Sequence, residues 1–234
     1  MICFVELEHE NLLNVFSTDF MNDEQGMVFL GDGAALKFRF EEITGQACLL
    51  QHYTQITEAK LQEWGIQALL LSGCRTAWDE YNFDRFQELF HVIRETDIPI
   101  IGFCGGHQLI GCAYGTPSVP MGPLPEGMED PFPEMAPGMM KERGFFNVDV
   151  LQPAPLFEGL GNRPLLMESH WWEVQDVPPG FTLLASTDAC RVQAFKHESR
   201  LLYGVQFHPE LYDEEHQDGR VLLKNFFSIA GVIK

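Results

Sequence analysis

Short apolar runs alternate with amphipathic stretches along the first half of the chain. Four runs have the length of a β-strand: Ile2–Leu7, Ala47–Gln51, Ala68–Leu71 and Ile100–Phe103. The last two lack polar alternation, as expected of strands that are buried on both faces. Between them, Asn82–Thr96 carries apolar side chains at three- and four-residue spacing, which predicts a helix. This alternation predicts an α/β fold with a mostly parallel central sheet and flanking helices.

The second half of the chain shows a different pattern, in which extra short strands are separated by Gly, Pro and Asp turns. These predicted strands are Phe145–Val150, Leu165–Met167, Leu183–Ser186, Val192–Lys196 and Leu202–Gln206. A closing helix is predicted over Asp218–Ile229, and the whole chain, residues 1–234, is predicted to be a single domain. Thr116–Gly138 is rich in proline, glycine and methionine, which predicts an inserted loop that closes over a site, contacts a partner or is poorly ordered.

Charge and cysteine usage exclude several classes of function. Acidic residues outnumber basic ones 34 to 15, for a formal net charge of −19, which disfavours nucleic acids and anionic membranes as partners. No apolar run approaches the roughly 18–20 residues that cross a bilayer. The N-terminus has no basic stretch before its apolar residues, so a cytoplasmic protein without a signal peptide is expected. The six cysteines are irregularly spaced, which favours reduced thiols over a disulfide framework or a zinc site.

The sharpest chemical signal is Cys104, which follows the predicted strand ending at Phe103 and has three glycines within two residues of it. A helix is predicted to begin near Gly106. A sharp strand-to-helix turn presents a nucleophile at the top of a sheet, and glycines tolerate the strained backbone that this requires. The helix N-terminus stabilises a thiolate and offers N–H groups to an oxyanion. Burial as an inert thiol accounts for Cys3 and Cys48, but it does not account for these glycines.

A catalytic thiol needs a base, and the base needs an orienting partner. His208 follows the predicted strand Leu202–Gln206, at the end of the sheet where ligands bind in open α/β folds. Glu210 lies two residues beyond it, close enough to bond the imidazole, and Pro209 stiffens the turn. Alone, this segment is typical of a surface turn. Together with the Cys104 turn it predicts a Cys104–His208–Glu210 triad.

These two segments resemble the signatures of class I (triad-type) glutamine amidotransferases. One is Gly-x-Cys-x-Gly-x-Gln around Cys104, and the other is Gly-Val-Gln-Phe-His-Pro-Glu, which ends at Glu210. Leu69–Gly73 resembles the oxyanion-side loop of the family, and residues 167–187 are similar to the amidotransferase domain of GMP synthetase. The resemblance covers nearly the whole chain in the right order. It implies the flavodoxin-like class I glutamine amidotransferase fold.

Carried over to this chain, the resemblance implies that Cys104 is the nucleophile, His208 the general base and then acid, and Glu210 the orienting carboxylate. The implied reaction is attack of the thiolate on a γ-glutamyl amide, release of ammonia or an amine, and hydrolysis of the thioester. It needs no metal or organic cofactor.

The resemblance also implies the groups around the reacting amide. Backbone N–H groups of Gly105 and of the Gly73 loop would form the oxyanion hole. Gln108 and the loop around Ser169 and His170 would help to hold a glutamine-like substrate.

Three functional interpretations stay open. The chain is a glutamine-hydrolysing subunit that passes ammonia to a synthetase partner, or a stand-alone hydrolase or peptidase acting on another γ-glutamyl small molecule. A third interpretation is a non-catalytic regulatory or binding protein that retains the fold, which the intact triad disfavours.

Two departures from the family pattern lie near the predicted site. Cys74 and Arg75 replace the last two residues of the usual Ser-Gly-Gly-Pro loop, which favours an altered substrate. Cys74 also permits a redox hypothesis with Cys104, although inert packing is favoured. Trp171 and Trp172 stand where the family has smaller or polar residues, and structural packing is expected for them.

Two further segments are predicted to be turns without a ligand. Glu6, Glu8, His9 and Glu10 suggest a metal cluster, but they follow a strand end and predict a solvated turn. Residues 31–33, Gly-Asp-Gly, predict a turn that no Lys or Ser/Thr completes into a phosphate loop.

Overall fold

A computed structural model describes the chain over residues 1–9 and 24–234, and its side chains over residues 1–9 and 33–234. The helices in this part are α1 (Glu24–Thr44), α2 (Glu58–Glu63), α3 (Gln87–Glu95), α4 (Gly105–Ala113) and α5 (Asp218–Ile229). The strands are β1 (Ile2–Glu6), β2 (Cys48–His52), β3 (Ala68–Leu71), β4 (Ile100–Phe103), β5 (Ser118–Pro120), β6 (Glu142–Asn147), β7 (Asp149–Val150), β8 (Leu165–His170), β9 (Trp172–Val174), β10 (Phe181–Ser186), β11 (Ala194–His197) and β12 (Leu202–Val205). No helix in the described ranges is long and apolar enough to cross a membrane.

Within the described residues, eight strands form one central sheet in the order β2-β1-β3-β4-β12-β11-β10-β7. Neighbouring strands from β2 to β12 are parallel, whereas β11, β10 and β7 extend the sheet with antiparallel pairing. The pairs β5–β9 and β6–β8 form separate antiparallel ribbons. The predicted α/β fold, with a mostly parallel central sheet and extra short strands in the second half, is confirmed.

Apolar side chains cover both faces of this sheet. Leu69 and Leu71 of β3 belong to the core cluster that contains residues of α3 and α4. Ala68 and Leu70 point the other way, into the cluster that contains residues of α1 and α5. Side chains of a strand alternate between faces, so a strand that is covered on both sides carries an unbroken apolar run. This explains the missing polar alternation in β3 and β4.

Two predicted elements are each divided into two in the structure. The helix predicted over Asn82–Thr96 begins with a 3-10 turn over Phe83–Phe86 before α3. The strand predicted over Phe145–Val150 is instead the end of β6 and the separate strand β7, which lie in different sheets. Apolar periodicity alone does not show that the chain leaves one sheet and enters another.

The turn predicted at residues 31–33 is wrong, because these residues lie inside α1. A Cβ on Gly33 would lie 3.5 Å from Leu50 Cδ2 and 3.6 Å from Glu6 Oε2, an ordinary contact distance. Gly33 therefore faces side chains of β1 and β2, and the space between them would accommodate a Cβ.

The predicted loop Thr116–Gly138 contains the short strand β5, which pairs with β9. The segment then doubles back on itself, with Leu124 N–H donating to Gly138 O at 2.9 Å and Met140 N–H donating to Gly122 O at 2.8 Å. These bonds form an arm that leads into β6.

Candidate active site

Cys104 occupies the sharp turn between β4 and α4. Its backbone has φ 47° and ψ −102°, in the left-handed region that residues other than glycine rarely adopt. Cys104 N–H donates to Val205 O at 2.8 Å, and Gly106 N–H donates to Ser72 O at 2.8 Å. These bonds tie the turn to the ends of β12 and β3. The predicted strand-to-helix turn at Cys104 is confirmed.

Two of the glycines beside this turn are required by close packing. A Cβ on Gly102 would lie 2.5 Å from the carbonyl carbon of Gly106, and a Cβ on Gly106 would lie 2.5 Å from Leu71 O. Both distances are far shorter than any normal contact to backbone atoms. The helix α4 can therefore begin directly over the ends of β3 and β4 only with glycine at both positions.

His208 and Glu210 follow β12 and meet beside Cys104. His208 Nδ1 lies 2.7 Å from Glu210 Oε1, and Glu210 is buried. Burial opposes the charged imidazole, but the Glu210 carboxylate and the Cys104 sulfur, which also hydrogen-bonds His208, raise the pKa of His208 well above its usual value. The structure brings the three residues of the predicted triad together in one contact network.

Gly73 and Gly105 also lie beside the nucleophile. A Cβ on Gly73 would lie 2.8 Å from His208 Cε1 and 3.5 Å from Cys104 Cβ. A Cβ on Gly105 would lie 2.8 Å from Cys74 Sγ and 2.9 Å from Cys74 N. The backbone of the Gly73 loop and that of Gly105 are thus in contact beside the thiol, as an oxyanion hole built from both requires.

A buried carboxylate from the end of β1 holds this loop. Glu8 is 1% exposed, and its Oε2 accepts a hydrogen bond from Arg75 N–H at 2.9 Å. Its Oε1 accepts from Thr76 N–H at 3.2 Å and from Thr76 Oγ1 at 2.7 Å. The predicted solvated turn is therefore wrong for Glu8, because β1 and β3 are neighbours and the residues that follow them meet at one sheet edge. Glu10, part of the same prediction, lies outside the described residues.

The side-chain amide of Gln108 forms hydrogen bonds to other groups of the protein. Its Oε1 accepts from Trp78 Nε1 at 2.6 Å, and its Nε2 donates to Trp172 O at 2.8 Å and to Gln206 Oε1 at 3.0 Å. Gln108 thereby connects the 3-10 turn over Trp78–Glu80 with β9 and with the residue that follows β12. The sequence analysis assigned no role to Trp78 or Gln206. Trp78 belongs to no chemical pattern, and the segment that contains Gln206 does not by itself show that its side chain contacts Gln108.

Ser169 and His170 lie at the end of strand β8 and not in a loop, which corrects the predicted local structure. The carbonyl oxygen of Ser169 accepts a weak hydrogen bond from Cys104 Sγ at 3.9 Å. The imidazole of His170 is buried, with Nε2 3.0 Å from Glu142 Oε2 and Nδ1 3.0 Å from Trp172 O. Ser169 thus contacts the nucleophile through its backbone, whereas the His170 side chain is held by neighbouring protein groups.

Two cavities flank these residues. The first, the Cys104 cavity, has a volume of about 470 Å³ and is lined by Cys104 and by residues of the inserted arm, Glu134, Met135 and Ala136. The second, the His208 cavity, has a volume of about 520 Å³ and is lined by His208 together with residues of β1 and α1. Three residues line both cavities: Cys74, Arg75 and Ser169. A larger, open cavity of about 900 Å³ lies along residues 149–163 and contains none of the predicted site residues.

Comparison with known proteins identifies the family. The profile of the family described as glutamine amidotransferase class-I matches residues 35–230. The chain belongs to this family. This amidotransferase is 32% identical over 186 residues to one subunit of the glutamine-hydrolysing GMP synthase of Pyrococcus furiosus, a match that covers 80% of this chain and 86% of the relative. It is 36% identical over 137 residues to the same GMP synthase subunit from Thermococcus kodakarensis, which covers 58% of this chain and 63% of the relative.

A solved structure agrees with this assignment. The crystal structure of a putative GMP synthase subunit from Thermoplasma acidophilum superposes with a TM-score of 0.70 at 26% identity, covering 99% of this chain and 94% of the other. The amidotransferase family and fold that the sequence resemblance implied are confirmed, and the chain is an enzyme of this family.

The tryptophan pair of this amidotransferase lines the Cys104 cavity. Trp171 and Trp172 stack edge to face with ring centroids 5.4 Å apart. Trp172 is also packed against the core cluster around α3 and α4, which agrees with the expected structural packing for that residue. The pair therefore forms part of the cavity wall.

One group of potential metal ligands occurs among the described residues of the amidotransferase. Donor atoms of Glu142, His170 and Cys190 lie within 4.8 Å of one another, and all three residues are buried. Glu142 Oε2 is occupied by His170 Nε2 at 3.0 Å and by Gln193 Nε2 at 2.7 Å. These bonds hold the Glu142 carboxylate and orient the His170 imidazole at the wall of the Cys104 cavity.

Proposed function

We propose that this amidotransferase hydrolyses the side-chain amide of glutamine through a thioester on Cys104. The observation that supports this most strongly is the strained Cys104 turn beside an imidazole that Glu210 holds at 2.7 Å. With His208 Nδ1 bound to the carboxylate, Nε2 is the ring nitrogen left to take the thiol proton. The raised pKa of His208 favours an imidazolium beside a thiolate, which is the nucleophilic form of cysteine.

The proposed reaction has two steps. The Cys104 thiolate attacks the γ-carbonyl carbon, and N–H groups of Gly105 and the Gly73 loop stabilise the oxyanion. The C–N bond then breaks while His208 gives its proton to the leaving nitrogen, which departs as ammonia. In the second step His208 takes a proton from water, the resulting hydroxide cleaves the thioester, and glutamate leaves as the thiol is regenerated.

The Cys104 cavity is the proposed site for the glutamyl part of the substrate. Arg143 and Glu134 form an ion pair of 2.8 Å at its wall, and both side chains are substantially exposed. Glutamine carries one carboxylate and one ammonium group on its α-carbon, so a wall that carries charges of both signs complements it. Gln108 is proposed to act indirectly, by positioning Trp78 and the backbone of Trp172.

The test is labelling with 6-diazo-5-oxonorleucine, a glutamine-like alkylating agent, followed by mass spectrometry of the intact protein. We expect a single adduct on the wild type and on Cys112→Ala, a matched control on the same helix, and none on Cys104→Ala. A folded wild-type protein that gains no adduct, or an adduct that survives in Cys104→Ala, would contradict the proposal.

We further propose that the released ammonia is used by a synthetase partner, since the relatives named above are each one subunit of a GMP synthase. A second candidate function is a stand-alone γ-glutamyl hydrolase, which the His208 cavity favours because it adds space on the leaving-group side. Ammonium release from glutamine by the isolated chain, with and without a candidate synthetase partner, distinguishes the two. Stimulation by the partner supports the first, and full activity without it supports the second.

A further inference from the structure

The His208 cavity lies on the side of the triad from which the amine must depart. It is lined by the imidazole that would protonate the leaving nitrogen, whereas the Cys104 cavity is lined by the nucleophile and not by His208. The two cavities meet at Cys74, Arg75 and Ser169. An amide whose carbonyl carbon is at Cys104 and whose nitrogen is at His208 would therefore place its glutamyl part in one cavity and any nitrogen substituent in the other.

The size of the His208 cavity exceeds what ammonia requires. Its volume is about 520 Å³, whereas a small molecule such as water occupies about 30 Å³ in the liquid. The wall includes the apolar side chains of Leu36, Leu211 and Tyr212. A substituent of several carbon atoms has both the space and apolar contacts there.

The charges around this cavity have a small negative excess. Among the described residues that line it, four carboxyl groups (Glu6, Glu8, Glu210 and Asp213) outnumber three cationic groups, the guanidinium groups of Arg39 and Arg75 and the protonated imidazole of His208.

One of these guanidinium groups is occupied by the protein. Arg39 Nη1 donates to Glu210 O at 2.6 Å and to Tyr212 O at 2.7 Å, and the group stacks over the Tyr212 ring at 4.5 Å. The cavity therefore favours a cationic substituent and disfavours a carboxylate.

We propose that the His208 cavity is a leaving-group subsite for a substituted, cationic amine, so that γ-glutamyl diamines are a substrate class of this enzyme. The inference rests on the proposed function, because it uses the same nucleophile and the same acid. The Cys104 sulfur bonds the carbonyl carbon of the γ-carboxamide, the C–N bond breaks, and the His208 proton goes to the nitrogen of the departing diamine. Water then cleaves the thioester to give glutamate and the free thiol.

The experiment compares kcat/KM of the full chain for glutamine, γ-glutamyl-1,4-diaminobutane and γ-glutamylglycine, with released glutamate measured by mass spectrometry in each case. We expect kcat/KM for the diamine conjugate to exceed kcat/KM for the glycine conjugate by about tenfold or more. About 1.4 kcal/mol of discrimination between the two transition states produces this factor. Equal rates for the two conjugates would overturn the proposal.

A cavity-filling variant tests whether the preference for the diamine conjugate arises in the His208 cavity. Leu211→Trp narrows the His208 cavity, and Leu201→Trp is its control, since the two leucines are 38% and 37% exposed and Leu201 does not line the cavity. We expect Leu211→Trp to lower the ratio of kcat/KM for the diamine conjugate to kcat/KM for glutamine by about tenfold. Leu201→Trp should leave that ratio unchanged. An unchanged ratio in Leu211→Trp would overturn the assignment of this cavity.

Failure of the subsite and failure of the proposed function give different results. Cleavage of glutamine without cleavage of the diamine conjugate overturns the subsite alone. Absence of all three activities, together with no 6-diazo-5-oxonorleucine adduct on Cys104, overturns both.

Discussion

The ammonium group of Lys141 lies 2.9 Å from Asp130 Oδ1, with the lysine side chain only 1% exposed. The same nitrogen donates to three backbone carbonyl groups of the inserted arm: Phe132 at 3.1 Å, Met135 at 2.6 Å and Ala136 at 3.0 Å. One buried cation thus holds the part of the arm that forms a wall of the Cys104 cavity.

Replacing Lys141 with Met is expected to loosen this wall. The variant leaves several carbonyl groups and Asp130 without their donor, which should cost about 2–4 kcal/mol of unfolding free energy. We expect KM for glutamine to rise more than kcat falls, because the arm contacts the proposed substrate cavity and not the triad. Denaturant unfolding and steady-state kinetics measure both effects, with Lys224→Met, on the exposed side of α5, as the control. Unchanged stability and KM would show that the arm holds its position without Lys141.

Replacing Glu210 with Gln tests how the carboxylate acts on His208. The charge of Glu210 helps to raise the pKa of His208, so its removal lowers that pKa and the imidazolium loses its proton at lower pH. The basic limb of the kcat/KM profile should therefore move to lower pH, and kcat should fall by roughly 10³–10⁴-fold, as expected for a mispositioned catalytic histidine. The control is Glu214→Gln, an exposed neighbour. A profile that keeps its basic limb in Glu210→Gln would contradict the assigned role.

Cys74 is expected to be inert toward mild oxidation. Burial raises the pKa of its thiol well above the usual value, and the nearby Cys104 sulfur and Glu8 carboxylate act in the same direction. Only the thiolate reacts readily, so a disulfide with Cys104 is disfavoured. Free thiols counted after dilute peroxide should fall by the same number in wild type, Cys74→Ser and the control Cys112→Ser. A smaller loss in Cys74→Ser alone would support the redox hypothesis instead.

His107 is expected to contribute to acid sensitivity. It is fully buried and stacks on Phe195 with ring centroids 4.3 Å apart, and burial lowers its pKa from 6.5 to about 3. The folded protein keeps this imidazole neutral, whereas the unfolded chain protonates it below about pH 6.5, so stability falls as pH drops through that range. Between pH 7 and pH 5 the loss should be about 2 kcal/mol.

The measurement for His107 is the change in unfolding free energy between these two pH values. His107→Gln should show a loss about 2 kcal/mol smaller than wild type, whereas the exposed His91→Gln should match wild type. Equal pH dependence in all three proteins would show that His107 is not the acid-sensitive group.

Several parts of the molecule were determined by local sequence. The bounds of β3, β4 and α5 agree with their predictions, because an unbroken apolar run or an amphipathic period is a property of consecutive residues. The Cys104 turn and the proximity of His208 to Glu210 are local in the same sense. The glycines around the end of β4 suffice to predict the Cys104 turn. The separation of two residues between His208 and Glu210, just after β12, suffices to predict that their side chains meet.

Other parts were decided only by tertiary structure. Glu8 binds the backbone of Arg75 and Thr76 because β1 and β3 are adjacent, and their pairing joins segments more than sixty residues apart. Glu142 meets His170 because β6 pairs with β8 in that register. A buried polar side chain takes whichever partner the fold places beside it, and that choice depends on strand order. Local sequence therefore specified the reacting groups, whereas the packing of distant strands decided which groups support them.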